Sequence, residues 1–195
     1  VDAAAYIFVG RSGCGKGTQA ALLKERIGVG GNLLPVETGA LFREYITGTS
    51  YASELSRDLY ATGVRQPDFL ACHMWTQILL DSYVPGMSVI FDGTPRSPAE
   101  AHVLLTALSF FRFAQVHVIH IDVSRSWSEN HLRARGRVDD ATDELIERRL
   151  NWYDQDVVPA LSVLEGFPGA KIHHINGEQA VEDVAAQIER ALSTT

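Results

Sequence analysis

Only two cysteines, Cys14 and Cys72, occur in 195 residues, too few for a disulfide framework and without the Cys-x-x-Cys spacing of a structural zinc site. A reducing, cytoplasmic setting is expected. Basic charge is also short. Seventeen Lys and Arg against 24 Asp and Glu leave a formal charge of −7, which argues against a chain built to coat nucleic acid. No apolar run approaches the roughly 20 residues a helix needs to span a bilayer. The short apolar opening at residues 3–9 lacks the basic flank and small-residue cleavage site of a secretory signal. Neither nucleic acid nor a membrane is therefore an expected partner. What is present is ordinary globular material, 46% hydrophobic and 21% charged, with no internal repeat or linker. One domain over residues 1–195 is expected.

The pattern along the chain alternates. Ala5-Tyr6-Ile7-Phe8-Val9 is a short apolar run that ends in a glycine-rich turn, and residues 19–27 then take up helical spacing. Strand-like runs recur at residues 88–91, 115–121 and 171–175. Between the last two lies a helical pattern over residues 143–164, where Ile146, Leu150, Tyr153, Val157, Leu161 and Leu164 recur every three or four residues, and Pro159 should bend it. Val181, Val184, Ala185, Ile188 and Leu192 share one face of a closing helix. Strands alternating with helices of this length predict a doubly wound parallel α/β sheet with helices on both faces. His117 and His120, like His173 and His174, fall on opposite faces of their strands, so no simple metal pair forms within either strand.

Gly10-Arg11-Ser12-Gly13-Cys14-Gly15-Lys16-Gly17-Thr18 follows the first strand and opens the first helix. The chemistry of phosphate binding asks for this context. Glycines let the backbone curl with its N–H groups inward, the helix N-terminus adds a positive end, Lys16 adds a full charge, and the Thr18 hydroxyl can reach a magnesium ion. The general pattern places Ser or Thr directly after the Lys, and here Gly17 intervenes. Cys14, beside the helix N-terminus and Lys16, is expected to be open to electrophiles, whereas Cys72 is expected to pack.

The Gly-Lys-Gly-Thr-Gln variant resembles the loop of the adenylate kinase family of nucleoside monophosphate kinases. Further segments follow in family order: Glu37-Thr38-Gly39-Ala40-Leu41-Phe42-Arg43, then Phe91-Asp92-Gly93-Thr94-Pro95-Arg96, then Arg135-Gly136-Arg137-Val138-Asp139-Asp140, then Arg149-Leu150-Asn151-Trp152-Tyr153. The resemblance implies a phosphate-loop fold with an acceptor-binding arm near residues 38–67 and a short lid near 131–142. It implies transfer of the γ-phosphoryl of Mg-ATP to a nucleoside monophosphate by a monomer.

By that resemblance Gly10, Gly13, Cys14, Gly15, Lys16, Gly17 and Thr18 hold ATP, with His131 and Gly177 at its base. Thr38, Gly39, Arg43, Val64, Gly93, Arg96 and Glu100 hold the acceptor. Lys16, Arg96, Arg135, Arg137 and Arg149 surround the migrating phosphoryl, and Asp92, through water, and Thr18 attend magnesium. Such a reaction needs position and positive charge more than a base. A lid without cysteine implies no zinc.

Several positions depart from the family. Ala40 stands where the family carries a carboxylate, and His131 where an arginine stacks on the donor base. Glu100 replaces the glutamine that reads adenine. An ionised carboxylate only accepts hydrogen bonds, which would suit guanine's two donors better, and two readings stay open: Glu100 reads a base, or it turns to solvent. Thr94, in place of Phe, also alters the base pocket. AMP leads among acceptors, with GMP, CMP, UMP and deoxynucleotides as rivals. A nucleotide-binding module that has lost turnover is the alternative from another class. Arg149 is favoured over Arg148 as the residue facing the phosphates, and Asp139 and Asp140 either pair with lid arginines or start the following helix.

Overall fold

The computed structural model describes residues 3–28, 32–137 and 140–193. Five parallel strands form one sheet: β1 (Ala4–Gly10), β2 (Leu33–Glu37), β3 (Ser88–Asp92), β4 (Gln115–Asp122) and β5 (Ala170–Asn176), in the spatial order β2-β3-β1-β4-β5. The expected alternation is realised. The sequence pattern does not single out β2, because Leu-Leu-Pro-Val-Glu carries a proline; the strand lies at the sheet edge, where a residue without an N–H is tolerated.

All seven residues of β1 are buried, as a central strand covered on both faces requires. Its side chains divide by parity. Ala5, Ile7 and Val9 join one core with Trp75, Leu79, Leu104, Leu108 and Leu164, while Ala4, Tyr6 and Phe8 join the other with Leu23, Val184 and Ile188. The first core is covered by α4 (Asp68–Ser82), α5 (Pro98–Phe110) and α8 (Val158–Glu165), the second by α1 (Lys16–Ile27) and α9 (Val181–Ser193). Two short helices, α2 (Thr38–Tyr45) and α3 (Tyr51–Ala61), make the arm, and α6 (Arg125–Arg135) and α7 (Asp143–Trp152) flank the lid. Val138 and Asp139, within the expected lid, lie outside the described residues.

The periodic stretch over residues 143–164 is helical throughout, but its middle is not α. Tyr153–Val157 is a single π-helical turn between α7 and α8, with the Val158 N–H donating to the Tyr153 carbonyl. Pro159, lying at the start of α8, has no N–H to offer the preceding turn, and the backbone widens there into the π turn.

The strand histidines pair between strands. Facing β4 and β5 place His120 Nδ1 3.3 Å from His174 Nδ1 on one face and His117 Nδ1 3.0 Å from His173 Nε2 on the other. Alternation within a strand says nothing about a neighbour's register, so these pairs are invisible along the chain.

Candidate functional site

Ligands of open parallel sheets bind beyond the carboxyl ends of the strands, and the main cavity opens there, with a volume of about 730 Å³. The phosphate loop forms one wall. Gly15 precedes α1 with φ +93°, a conformation that glycine adopts without strain. No side chain caps α1, whereas Ser50, Ser97, Ser124 and Thr142 cap α3, α5, α6 and α7. Its N-terminal amides therefore stay available to an anion. Lys16 Nζ lies over the loop, donating to the carbonyls of Gly10 at 2.7 Å and Arg11 at 3.0 Å.

Across the cavity the arm of α2, α3 and the segment after them contributes Gly39, Ala40, Phe42, Arg43, Tyr60, Gly63, Val64, Arg65 and Gln66. Arg43 and Arg96 converge over Gly39: a Cβ there would lie 3.2 Å from one guanidinium and 3.6 Å from the other. Arg96 is half-buried, its Nε donating to the Gly93 carbonyl at 2.7 Å. Burial pushes its pKa down, the Glu100 charge opposing and the Arg149 charge adding to that. From the lid side come His131, Arg135, Arg137 and Arg149. Asp140, with no side-chain exposure, accepts from Arg135 Nε at 2.5 Å and lies 3.5 Å from Arg149 Nε, so it pairs with lid arginines as one of its two readings expects. Its neighbour Asp139 is outside the described residues. Arg149 lines the cavity, while Arg148 turns away and donates to the Thr62 carbonyl on the arm.

Among the described residues, the wall carries seven basic side chains, Lys16, Arg43, Arg65, Arg96, Arg135, Arg137 and Arg149, against Glu37 and Asp92. In a chain of net charge −7 this concentration focuses a positive potential where a polyanion would sit.

Of the residues expected at the site, Gly10, Gly13, Gly15, Lys16, Gly17, Thr18, Gly39, Arg43, Val64, Asp92, Gly93, Arg96, His131, Arg135, Arg137 and Arg149 line this cavity. Four do not. Glu100 is fully buried, neither reading the cavity nor facing solvent: Oε1 accepts from Trp75 Nε1 at 3.1 Å and Oε2 from the Arg96 backbone N–H at 2.6 Å. Burial raises its pKa, with the Arg96 N–H opposing that most strongly. Thr38 is buried against the Thr94 hydroxyl at 2.5 Å, which also removes Thr94 from the base pocket. Gly177 backs onto Ile121 and Val123, where a Cβ would come within 2.6 Å of either side chain. Cys14 is buried at 4% exposure rather than open to reagents, its Sγ 3.6 Å from Lys16 Nζ. Cys72 packs against the core as expected, and burial raises its thiol pKa to about 11.

Tyr60, Arg65, Gln66, Trp152 and Tyr153, to which the sequence assigns no individual site role, also line the wall. Arg65 pairs with Asp68 and, at 3.4 Å, with Asp156 of the π turn. No motif spacing marks Tyr60, which the arm brings in; Trp152 and Tyr153 lie within the Arg149–Tyr153 motif, at the join of α7 and the π turn. His131, which lines the cavity, stacks on Trp127 behind it with ring centroids 4.6 Å apart.

A phosphate loop at the end of a central parallel strand, faced by convergent arginines, defines a phosphate-loop nucleotide-binding protein of the kinase class. A match to the family described as AAA domain spans residues 9–147. The chain is 32% identical over 188 residues to the adenylate kinase of Corynebacterium aurimucosum, covering 96% of this chain and 98% of that protein. It is 30% identical over 190 residues to that of Mycolicibacterium smegmatis, covering 95% and 97%. To that of Flavobacterium psychrophilum it is 27% identical over 191 residues, covering 96% and 97%. The chain belongs to the adenylate kinase family.

Proposed function

We propose that the protein is a nucleoside monophosphate kinase that moves the γ-phosphoryl of Mg-ATP to AMP. The observation that carries this is the convergence of Lys16 from the phosphate loop, Arg43 and Arg96 from the acceptor side and Arg135, Arg137 and Arg149 from the lid side on one cavity. A phosphate monoester with a second pKa near 6 is largely dianionic at neutral pH, so its oxygen can attack the γ-phosphorus without a general base. Arg43 and Arg96 hold that monoester. Lys16 exchanges the Gly10 and Arg11 carbonyls for the donor's phosphates. Arg149, close enough to depress the Arg96 pKa, stabilises the charge on the migrating group as the bond to the β–γ bridging oxygen breaks.

Magnesium fits the residues present. Asp92 ends β3, and its Oδ2 lies 3.2 Å from where a Cβ at position 17 would stand, so Gly17 lets the carboxylate lean onto the start of α1 beside Thr18. These are hard oxygen donors. Among the described residues no group of three or more His, Cys, Asp or Glu is assembled for a metal, so Asp92 and Thr18 would hold the ion together with water and the nucleotide. Bound there, it would neutralise charge on the β- and γ-phosphate oxygens.

With both oxygens of Glu100 committed inside the fold, and both ends of the buried Gln66 amide held by Ser56, base selection falls to the arm residues Tyr60, Val64 and Arg65. Both substrate sites lie within one chain, which supports a monomer. No described helix is long and apolar enough to cross a membrane. The test is steady-state transfer from Mg-ATP to AMP, GMP, CMP, UMP and their deoxy forms, with Lys16→Ala as the blank. Turnover with AMP above the others is expected; silence across the panel would overturn the reading.

A further inference from the structure

Arg11 lies between two cavity-lining residues of the phosphate loop, Gly10 and Ser12, yet its own side chain is absent from the wall. It runs the other way, 12% exposed, into the π turn. There its guanidinium forks onto Asp154, NH2 to Oδ1 at 2.9 Å and NH1 to Oδ2 at 3.0 Å, and NH1 reaches the Leu150 carbonyl at 3.4 Å. The Arg11 Cζ stands 4.2 Å above the centre of the Tyr153 ring, within cation–π range. Asp154 also receives Arg125 of α6 at 3.3 Å.

The turn is fixed from its other side as well. The Tyr153 hydroxyl and His120 Nε2 on β4 share a hydrogen bond at 2.6 Å. Burial lowers the His120 pKa and raises the Tyr153 phenol to about 12. The widened backbone of a π turn presents the adjacent residues Tyr153 and Asp154 together to one arginine, and such turns recur at functional sites. Arg11 thus joins two parts of the reaction centre. Its carbonyl touches Lys16 Nζ at 3.0 Å, and its side chain grips the turn that continues the helix carrying Arg149.

We propose that Arg11 is a positioning residue: it locks the phosphate loop to the Tyr153–Asp154 turn and so sets where the donor phosphates stand relative to Arg149. The proposal rests on the phosphoryl-transfer reading above. A lock of this kind serves the transition state more than either bound substrate, because it controls the relative placement of two charged groups and not the affinity of each.

The experiment compares Arg11→Ala, Arg11→Lys, Asp154→Asn and the Arg11→Ala/Asp154→Asn double variant in the full chain, reading kcat and both KM values beside thermal melts. Arg11→Ala should lower kcat about 10- to 100-fold with each KM within about threefold. Arg11→Lys should recover only part of the loss, since an ammonium lacks the planar fork. The double variant should be no worse than the more impaired single, as expected of partners in one interaction. Amide hydrogen exchange of the ligand-free protein is the second readout, with faster exchange expected together in residues 12–16 and 153–157. A kcat within twofold of wild type, additive losses, or a loss matching the unfolded fraction alone would overturn the proposal, as would unchanged exchange in both segments. A wild type silent toward every monophosphate would instead sink the phosphotransfer reading, and the exchange data would still decide whether the lock exists.

Discussion

The donor wall of the cavity comes from one contiguous stretch of chain, residues 10–18, whereas the acceptor wall is gathered from α2, the segment after α3, the end of β3 and the loop before α5. Both bind phosphate in the reading offered here. They differ in what holds them. The loop is shaped by its own glycines and by the open end of α1, so its chemistry is local. The acceptor wall depends on a buried frame: Glu100 accepts the Arg96 N–H, Trp75 Nε1 reaches back from α4 to Glu100, and Ser97 donates to Asp68 at 2.7 Å. Substitutions in the first wall should therefore remove activity and spare the fold, and substitutions behind the second should do the reverse.

The largest expected effect is that of Lys16→Ala. Losing the one full positive charge that the loop turns to the cavity should cut kcat by about 10³-fold or more while the melting temperature stays within about 2 °C of wild type; a large drop in melting temperature would break the comparison from the donor side. Arg96→Lys should come next. An ammonium cannot reproduce the guanidinium's fork beside Gly39, and kcat/KM for AMP should fall about 10²-fold with the KM for ATP little changed. Equal losses toward both substrates would mean that Arg96 serves the donor as well.

Glu100→Gln sharpens the contrast from behind the wall. A glutamine amide has one acceptor oxygen where the carboxylate has two, so either the Trp75 indole or the Arg96 N–H loses its partner and faces an N–H₂ group. The expected cost is about 1–3 kcal/mol of stability, read by chemical denaturation, with the order of preference among acceptors unchanged. A changed acceptor order would return Glu100 to the base pocket.

The smallest effect belongs to neither wall. Burial first, then the His173 and Lys171 charges, push His117 from 6.5 down to about 4. Its folded pKa lies below its unfolded one, so stability is complete above pH 6.5 and declines as the pH falls toward 4, where the unfolded chain takes up a proton that the folded chain refuses. His117→Phe keeps a ring between Tyr6 and His173 and should flatten that part of the stability curve by about 1–2 kcal/mol. Unaltered pH dependence would show that His117 does not govern it.

How far the chain could be read depends on how local each feature is. Four of the five strands follow from short apolar, β-rich runs and the closing helix from a spacing of three to four residues, and β2 escaped because Pro35 disguises an edge strand. The phosphate loop was legible residue by residue, since the turn, the charge and the helix start are contiguous. Arg43, Arg96 and Arg149 were legible as motif members, and the structure brings them to one cavity from different elements. Glu100 was misread because its helix position says nothing of which neighbours occupy its oxygens. Cys14 was misread for a related reason, as its place beside Lys16 gives no measure of burial.

By itself, then, the sequence determined the layered sheet, the loop and the set of charges, because these rest on periodicity, on glycine and on residue type. Only the tertiary structure decided that Glu100 frames the site without touching it, that β4 and β5 match their histidines across strands, and that Arg11 leaves its own loop for a π turn some 140 residues further along the chain. Those outcomes turn on register and on which groups share a buried space, and neither is written in the spacing of any one segment.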